Sequence, residues 1–181
     1  MSLSQFIVYA CPQGELAEQI ETFYQESLKL CGSNAAHNYM PHCTLTGFFQ
    51  DQESQINLYI QAIETAYNTA QLTAIPLKIN VTQMTFQATW YGLELQAQGI
   101  PLLLIHFSQL VNSATRLEAL RLKTWLHLSL AYEFQPQHAR QLQDLAQNQI
   151  NPYAQADWEL RFYQRHLDQS WTCHQSWQLT P

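Results

Sequence analysis

The chain has 181 residues, enough to bury one sizeable core, and its 46% hydrophobic against 12% charged residues mark a globular protein rather than a disordered one. With 8 Lys+Arg against 14 Asp+Glu, a formal net charge of −6 and no basic run, long nucleic acid is not an expected partner, because such binding rests on neutralising many phosphates. No basic stretch precedes an apolar core and no apolar run is long enough to span a bilayer. Cys11, Cys31, Cys43 and Cys173 are scattered rather than paired in a C-x-x-C motif, so a cytoplasmic monomer with free thiols and no membrane contact is expected.

Along the chain, Phe6 to Ala10 reads as a strand, after which Pro12 and Gly14 punctuate the entry to a helix running to about Leu30. Leu16, Ile20, Phe23 and Ser27 share one face of that helix at 3.6-residue spacing. His42 to Phe49 reads as a strand rich in Thr and aromatic residues, and Ile56, Ile60, Ile63 and Tyr67 again repeat with helical period over Gln52 to Ala70. Leu77 to Phe86 and Trp90 to Gln96, joined by Gln87-Ala88-Thr89, predict an antiparallel hairpin. The apolar stretch from Gly99 and Pro101 to Val111 is too long for an ordinary strand and predicts a helix. Trp125 to Phe134 predicts a strand, Pro136 to about Gln147 a helix, and Trp158 to His166 with Trp171 to Leu179 two final strands. The second half roughly repeats the first, and no Pro-, Gly- or Ser-rich linker divides them, so one domain over residues 1–181 with an α/β (α+β) fold is expected.

Two strand segments carry the same pattern of His, apolar, hydroxyl, apolar: His42-Cys43-Thr44-Leu45 and His127-Leu128-Ser129-Leu130. Alternate side chains of a strand share a face, so His42, Thr44 and Thr46 should project together while Cys43 and Leu45 turn into the opposite layer. His127 and Ser129 should do the same, with Leu128 and Leu130 turned away. An imidazole and a hydroxyl about 7 Å apart along a strand can converge on one tetrahedral anion. A single histidine in such a strand is most simply structural; two copies of the pattern point to a shared site.

Pro41-His42-Cys43-Thr44-Leu45-Thr46 and Leu126-His127-Leu128-Ser129-Leu130 resemble the paired signatures of the two-histidine phosphoesterase superfamily, which includes plant-type cyclic nucleotide phosphodiesterases and LigT-like RNA 2′,3′-cyclic phosphodiesterases. The resemblance implies a bilobal fold, with two mainly antiparallel sheets and outer helices around a central cleft. It also implies that His42 and His127 are catalytic and flank the scissile phosphate, while Thr44 and Ser129 bind its nonbridging oxygens. In that chemistry a neutral imidazole takes a proton from attacking water and an imidazolium gives one to the leaving oxygen, with either His able to fill either role and no metal or cofactor required.

Tyr132, Tyr9 and Trp90 are candidate substrate-binding aromatics, with Tyr39 and Tyr91 as further stacking candidates. The default reading for each is core packing, and alternation puts Tyr132 on the wrong face unless the strand is bulged. Arg116, Arg121 and Lys123 could steer an anion, or simply face solvent. Neither metal-binding spacings nor glycine-rich phosphate loops occur. The leading expectation is a metal-independent cyclic phosphodiesterase acting on a small nucleotide or an RNA end. Noncatalytic binding of a nucleotide or phosphometabolite in the same cleft is the alternative, and an ADP-ribose cyclic phosphate or a 2′,5′-linked oligonucleotide would keep the chemistry and change the substrate.

Overall fold

A computed structural model describes residues 3–179; of the domain expected over 1–181, residues 1, 2, 180 and 181 lie outside the described residues. The chain begins with strand β1 (Leu3–Gln13) and helix α1 (Glu15–Cys31), followed by the short strands β2 (Cys43–Thr44) and β3 (Phe49–Gln52). Helix α2 (Ile56–Gln71), the hairpin β4 (Lys78–Phe86) and β5 (Trp90–Gln98), and helix α3 (Ile100–Leu110) come next. Strand β6 (His127–Tyr132), helix α4 (Ala139–Gln149) and the hairpin β7 (Asp157–Arg165) and β8 (Trp171–Leu179) complete the fold.

Among the described residues the strands form one eight-stranded sheet in the order β4-β5-β6-β2-β1-β7-β8, with β3 also paired to β1, and every pairing is antiparallel. The α+β class expected from the sequence holds. The two sheets flanking a bilobal cleft do not: the two motif strands, β2 and β6, are immediate neighbours in a single sheet, paired at Cys43 and Leu128. Repetition along the chain signalled similar elements in each half, but backbone hydrogen bonding between the halves merges them.

The main core lies between the sheet and its helices. Leu16, Ile20, Phe23 and Ser27 of α1 are buried, the face that the helical period predicts. On α2 the buried residues are Tyr59, Ala62, Ile63 and Ala66, so the face is rotated from the expected one and Ile56, Ile60 and Tyr67 sit at its margin. The apolar α3 is a helix as expected, with Ile100, Leu103, Leu104 and Phe107 buried. Phe6, Val8 and Ala10 of β1 join this core, whereas Ile7, Tyr9 and Cys11 form a separate cluster with Tyr163. Strand β1 is thus covered on both faces, which its unbroken apolar run allows. Among the described residues no helix is long and apolar enough to cross a membrane.

The single strand expected from His42 to Phe49 is split. β2 pairs with β1 at Tyr9 and Ala10, and β3 pairs with it at Leu3 to Phe6, which leaves Val8 between the two registers. The intervening loop supplies what a continuous ladder would have given: Leu45 N and Thr46 N donate to Val8 O (3.0 and 3.3 Å), and Val8 N donates to Thr46 Oγ1 (3.0 Å). Thr46 is fully buried by this bond, so its hydroxyl serves the backbone of β1 and does not join His42 and Thr44 in the cleft.

Candidate active site

Pairing of Cys43 with Leu128 places His42 across from Ser129 and Thr44 across from His127, because antiparallel neighbours step in opposite directions. Cys43 and Leu128 themselves point into the main core and are fully buried. The other four side chains therefore share one face as a square, with histidines on one diagonal and hydroxyls on the other. They line one cavity of about 200 Å³, together with Tyr24, Ala36, Tyr39, Trp90 and Tyr132.

His42 is held from behind. Its Nδ1 lies 2.8 Å from Met40 O, an atom that only accepts, so Nδ1 carries the hydrogen and Nε2 keeps its lone pair in the neutral ring. Tyr9 packs against the imidazole at 4.0 Å between ring centroids, and Tyr39 at 5.3 Å. Burial, reinforced by the nearby His127 and opposed by the Met40 carbonyl, pushes the His42 pKa down to about 4. The ring is neutral at neutral pH.

His127 stands in a different setting. Burial lowers its pKa too, helped by the charge of Lys123, while the Trp125 backbone and Glu94 oppose the shift. Its Nδ1 is buried without a hydrogen bond of normal geometry. The Trp125 indole packs against the ring at 4.0 Å and 30°, and Trp90 meets it edge-on at 5.3 Å and 90°.

Trp90 also donates from Nε1 to Ser129 Oγ (2.9 Å), which occupies a lone pair of the hydroxyl and leaves its proton to point elsewhere. Gly92 makes room for this arrangement: a Cβ there would fall 2.3 Å from Trp90 Cζ2 and 2.4 Å from Leu128 O. The register between β5 and β6 shifts beside Gly92, pairing Tyr91 with Ala131 but Gly92 with Ser129, so Leu130 is the extra residue of a bulge. That bulge turns Tyr132 onto the face of His127 and Ser129, where simple alternation would not have put it. Burial and the neighbouring Tyr39 push the Tyr132 phenol up to about 12, so it stays protonated.

Of the sequence candidates, His42, Thr44, His127, Ser129, Tyr132, Trp90 and Tyr39 meet in this pocket. Tyr9 does not line it: the ring is 1% exposed beneath His42, because β1 is central and Tyr163 and Trp171 cover its other side. Its expected substrate contact is replaced by support of the imidazole. Tyr91 faces the helices and donates to Ala139 O (3.0 Å). Arg116 Nε bonds Glu118 O (2.9 Å) and Arg121 packs beside Gly47, leaving Lys123 as the member of that trio whose charge is felt at a histidine.

Tyr24, Ala36, Gly92 and Trp125 were not singled out by the sequence. Tyr24 donates to Ser129 O (2.7 Å) from α1, a contact that only tertiary packing creates. Gly92 and Trp125 had signals. A glycine inside a strand marks a bulge or a close approach, and Trp125 precedes His127 by the two-residue step that shares a face.

No family model matches the chain. By sequence it is similar to the ecdysteroid-phosphate phosphatase of Bombyx mori, 28% identical over 178 residues that cover 97% of this chain and 26% of the relative. It is also similar to the ecdysteroid-phosphate phosphatase of Drosophila melanogaster (26% identical, 89% of this chain, 26% of the relative) and to the ubiquitin-associated and SH3 domain-containing protein B of Mus musculus (29% identical, 90% of this chain, 26% of the relative). The chain spans about a quarter of the length of these curated relatives. These matches correct the expectation raised by the motifs. None of the three is named for a cyclic phosphodiesterase and two are named for a phosphatase, so the assignment to the two-histidine phosphoesterases is set aside, with its cyclic-diester substrate. The physical reason is that a His-apolar-hydroxyl-apolar strand specifies proton-transfer and hydrogen-bonding groups at an anion, not the ester that the anion belongs to.

Proposed function

We propose that this pocket hydrolyses a phosphomonoester by paired-imidazole acid–base catalysis. The observation that carries the reading is the square of His42, Thr44, His127 and Ser129 around one cavity, with His42 Nδ1 held 2.8 Å from Met40 O so that Nε2 is the nitrogen left for the substrate side. Similarity to two proteins named ecdysteroid-phosphate phosphatase over most of the chain supports a monoester as substrate class.

In the reaction His42 Nε2 accepts a proton from water as the water oxygen bonds to phosphorus. The bond from phosphorus to the leaving oxygen breaks, and that oxygen takes a proton from His127, so an alcohol and inorganic phosphate are released. Thr44 and Ser129 donate hydrogen bonds to nonbridging oxygens, and the Trp90 bond to Ser129 Oγ keeps the serine proton available for that purpose. A dianion bound between the rings favours the protonated state of His127, against its burial.

The test is phosphate release from p-nitrophenyl phosphate and from alkyl phosphates by the unsubstituted protein, His42→Ala and His127→Ala. Each substitution should lower kcat/KM by about 10²-fold or more while circular dichroism stays unchanged. The profile of kcat/KM against pH should peak on the acid side, rising as His42 loses its proton near 4 and falling as His127 loses its own below 6.5. Full activity in both variants, or turnover of a phosphodiester with none of a monoester, overturns the reading.

A further inference from the structure

The pocket is small for a whole substrate. Sites that enclose drug-sized ligands run to roughly 300–1,000 Å³, and this cavity of about 200 Å³ is shared by nine lining residues. A phosphoryl group fits between the four motif side chains; the organic body to which it is esterified must lie at the mouth. What recognises that body is the surface of the rim.

Trp125 is not one of the nine lining residues but packs on two of them, His127 and Trp90, and so stands beside the cavity. The residue is 51% exposed although its indole packs on His127 at 4.0 Å and lies 5.2 Å from Trp90, both of which line the pocket. One part of the indole is therefore fixed against the site while the rest meets water, an arrangement that leaves apolar area uncovered unless a ligand covers it. The other large aromatic exposed among the described residues, Tyr153 at 74%, lines a separate cavity with Leu77 and Lys78 and has no contact with the motif residues. The near-parallel packing of Trp125 on His127, tilted by 30°, also sets its orientation, which a flat ring can match by offset stacking and a branched or polyhydroxylated chain cannot.

We propose that Trp125 is the specificity residue of the site and that the ester it selects carries a flat aromatic or fused-ring body, stacked on the uncovered indole with its phosphate between His42 and His127. This rests on the reading of the pocket as a phosphate-ester site, and equilibrium binding separates the two claims.

Naphthylphosphonate and methylphosphonate, neither of which is turned over, are titrated into the full chain by calorimetry, alongside Trp125→Ala and Trp125→Phe. The naphthyl compound should bind about tenfold more tightly than the methyl one, as expected for one aromatic stack. Trp125→Ala should abolish that preference without changing methylphosphonate affinity, and Trp125→Phe should restore part of it. These results uphold the aromatic subsite even if no phosphate is released from any monoester, in which case hydrolysis alone is rejected. Equal affinity for both phosphonates, no binding of either, or an equal loss for both in Trp125→Ala overturns the subsite; the last outcome would mean that Trp125 acts only by holding His127.

Discussion

His42 and His127 head nearly identical strings, yet their surroundings differ on every side. The first sits beside the doubly covered β1, with Tyr9 beneath it and Nδ1 fixed on the Met40 carbonyl. The second sits one strand further out, between an exposed indole and the edge of another, with no hydrogen bond of normal geometry at Nδ1. The hydroxyls differ as well: Ser129 Oγ is tied to Trp90, whereas Thr44 has no equivalent indole bond. Similar local sequence thus provides two copies of the same groups, and their different places in the sheet give them different burial, ring neighbours and hydrogen-bond partners. In the proposed reaction the first motif accepts the proton and the second donates it.

The sharpest way to break that asymmetry is Gly92→Ala, which drives a methyl into Trp90 and the Leu128 carbonyl, on the side of the second motif. Overpacking against backbone should cost about 3 kcal/mol in denaturant unfolding, with loss of the edge-on Trp90 signal in near-ultraviolet circular dichroism. A variant as stable as the parent would show that Trp90 is not held as described. Next in size is Thr46→Val, aimed at the loop that follows the first motif. Removing the acceptor for the buried Val8 N–H should cost about 2 kcal/mol, read from the same unfolding midpoint, whereas Thr46→Ser should recover most of it.

The histidines can be compared by titration. Because the folded pKa of His42 lies near 4 against an ordinary 6.5, the unfolded chain binds a proton in that window that the folded chain refuses. Stability from neutral His42 is complete above about pH 6.5 and is lost as pH falls toward 4. His42→Asn should flatten the slope of stability in this range by up to one proton, about 1.4 kcal/mol per pH unit; an unchanged slope would place the shift elsewhere. The smallest effect is expected from Trp90→Phe, which keeps a ring beside His127 and removes the donor to Ser129. Turnover should fall a few-fold, of the order of one neutral hydrogen bond, with little change in the unfolding midpoint, and a loss as great as that of His127→Ala would make the indole more than a support for Ser129.

The sequence by itself determined the elements and the inventory of the site. The period of Leu16, Ile20 and Phe23 set the buried face of α1, the length of the Gly99 to Val111 stretch set α3, and strand alternation sent Cys43 and Leu128 inward and the motif histidines and hydroxyls outward. Those are properties of neighbouring residues on one backbone, governed by periods of 3.6 and 2.0. Tertiary structure alone decided that β2 and β6 adjoin in one sheet, that Thr46 serves Val8 instead of the cleft, that a bulge at Leu130 delivers Tyr132, and that Tyr9 supports His42 from below. Each depends on which backbone groups find partners across the chain and on how deeply a side chain is then covered. The same dependence holds for protonation: a histidine brings two nitrogens to any strand, and the rings and carbonyls packed around it fix which one is free and at what pH.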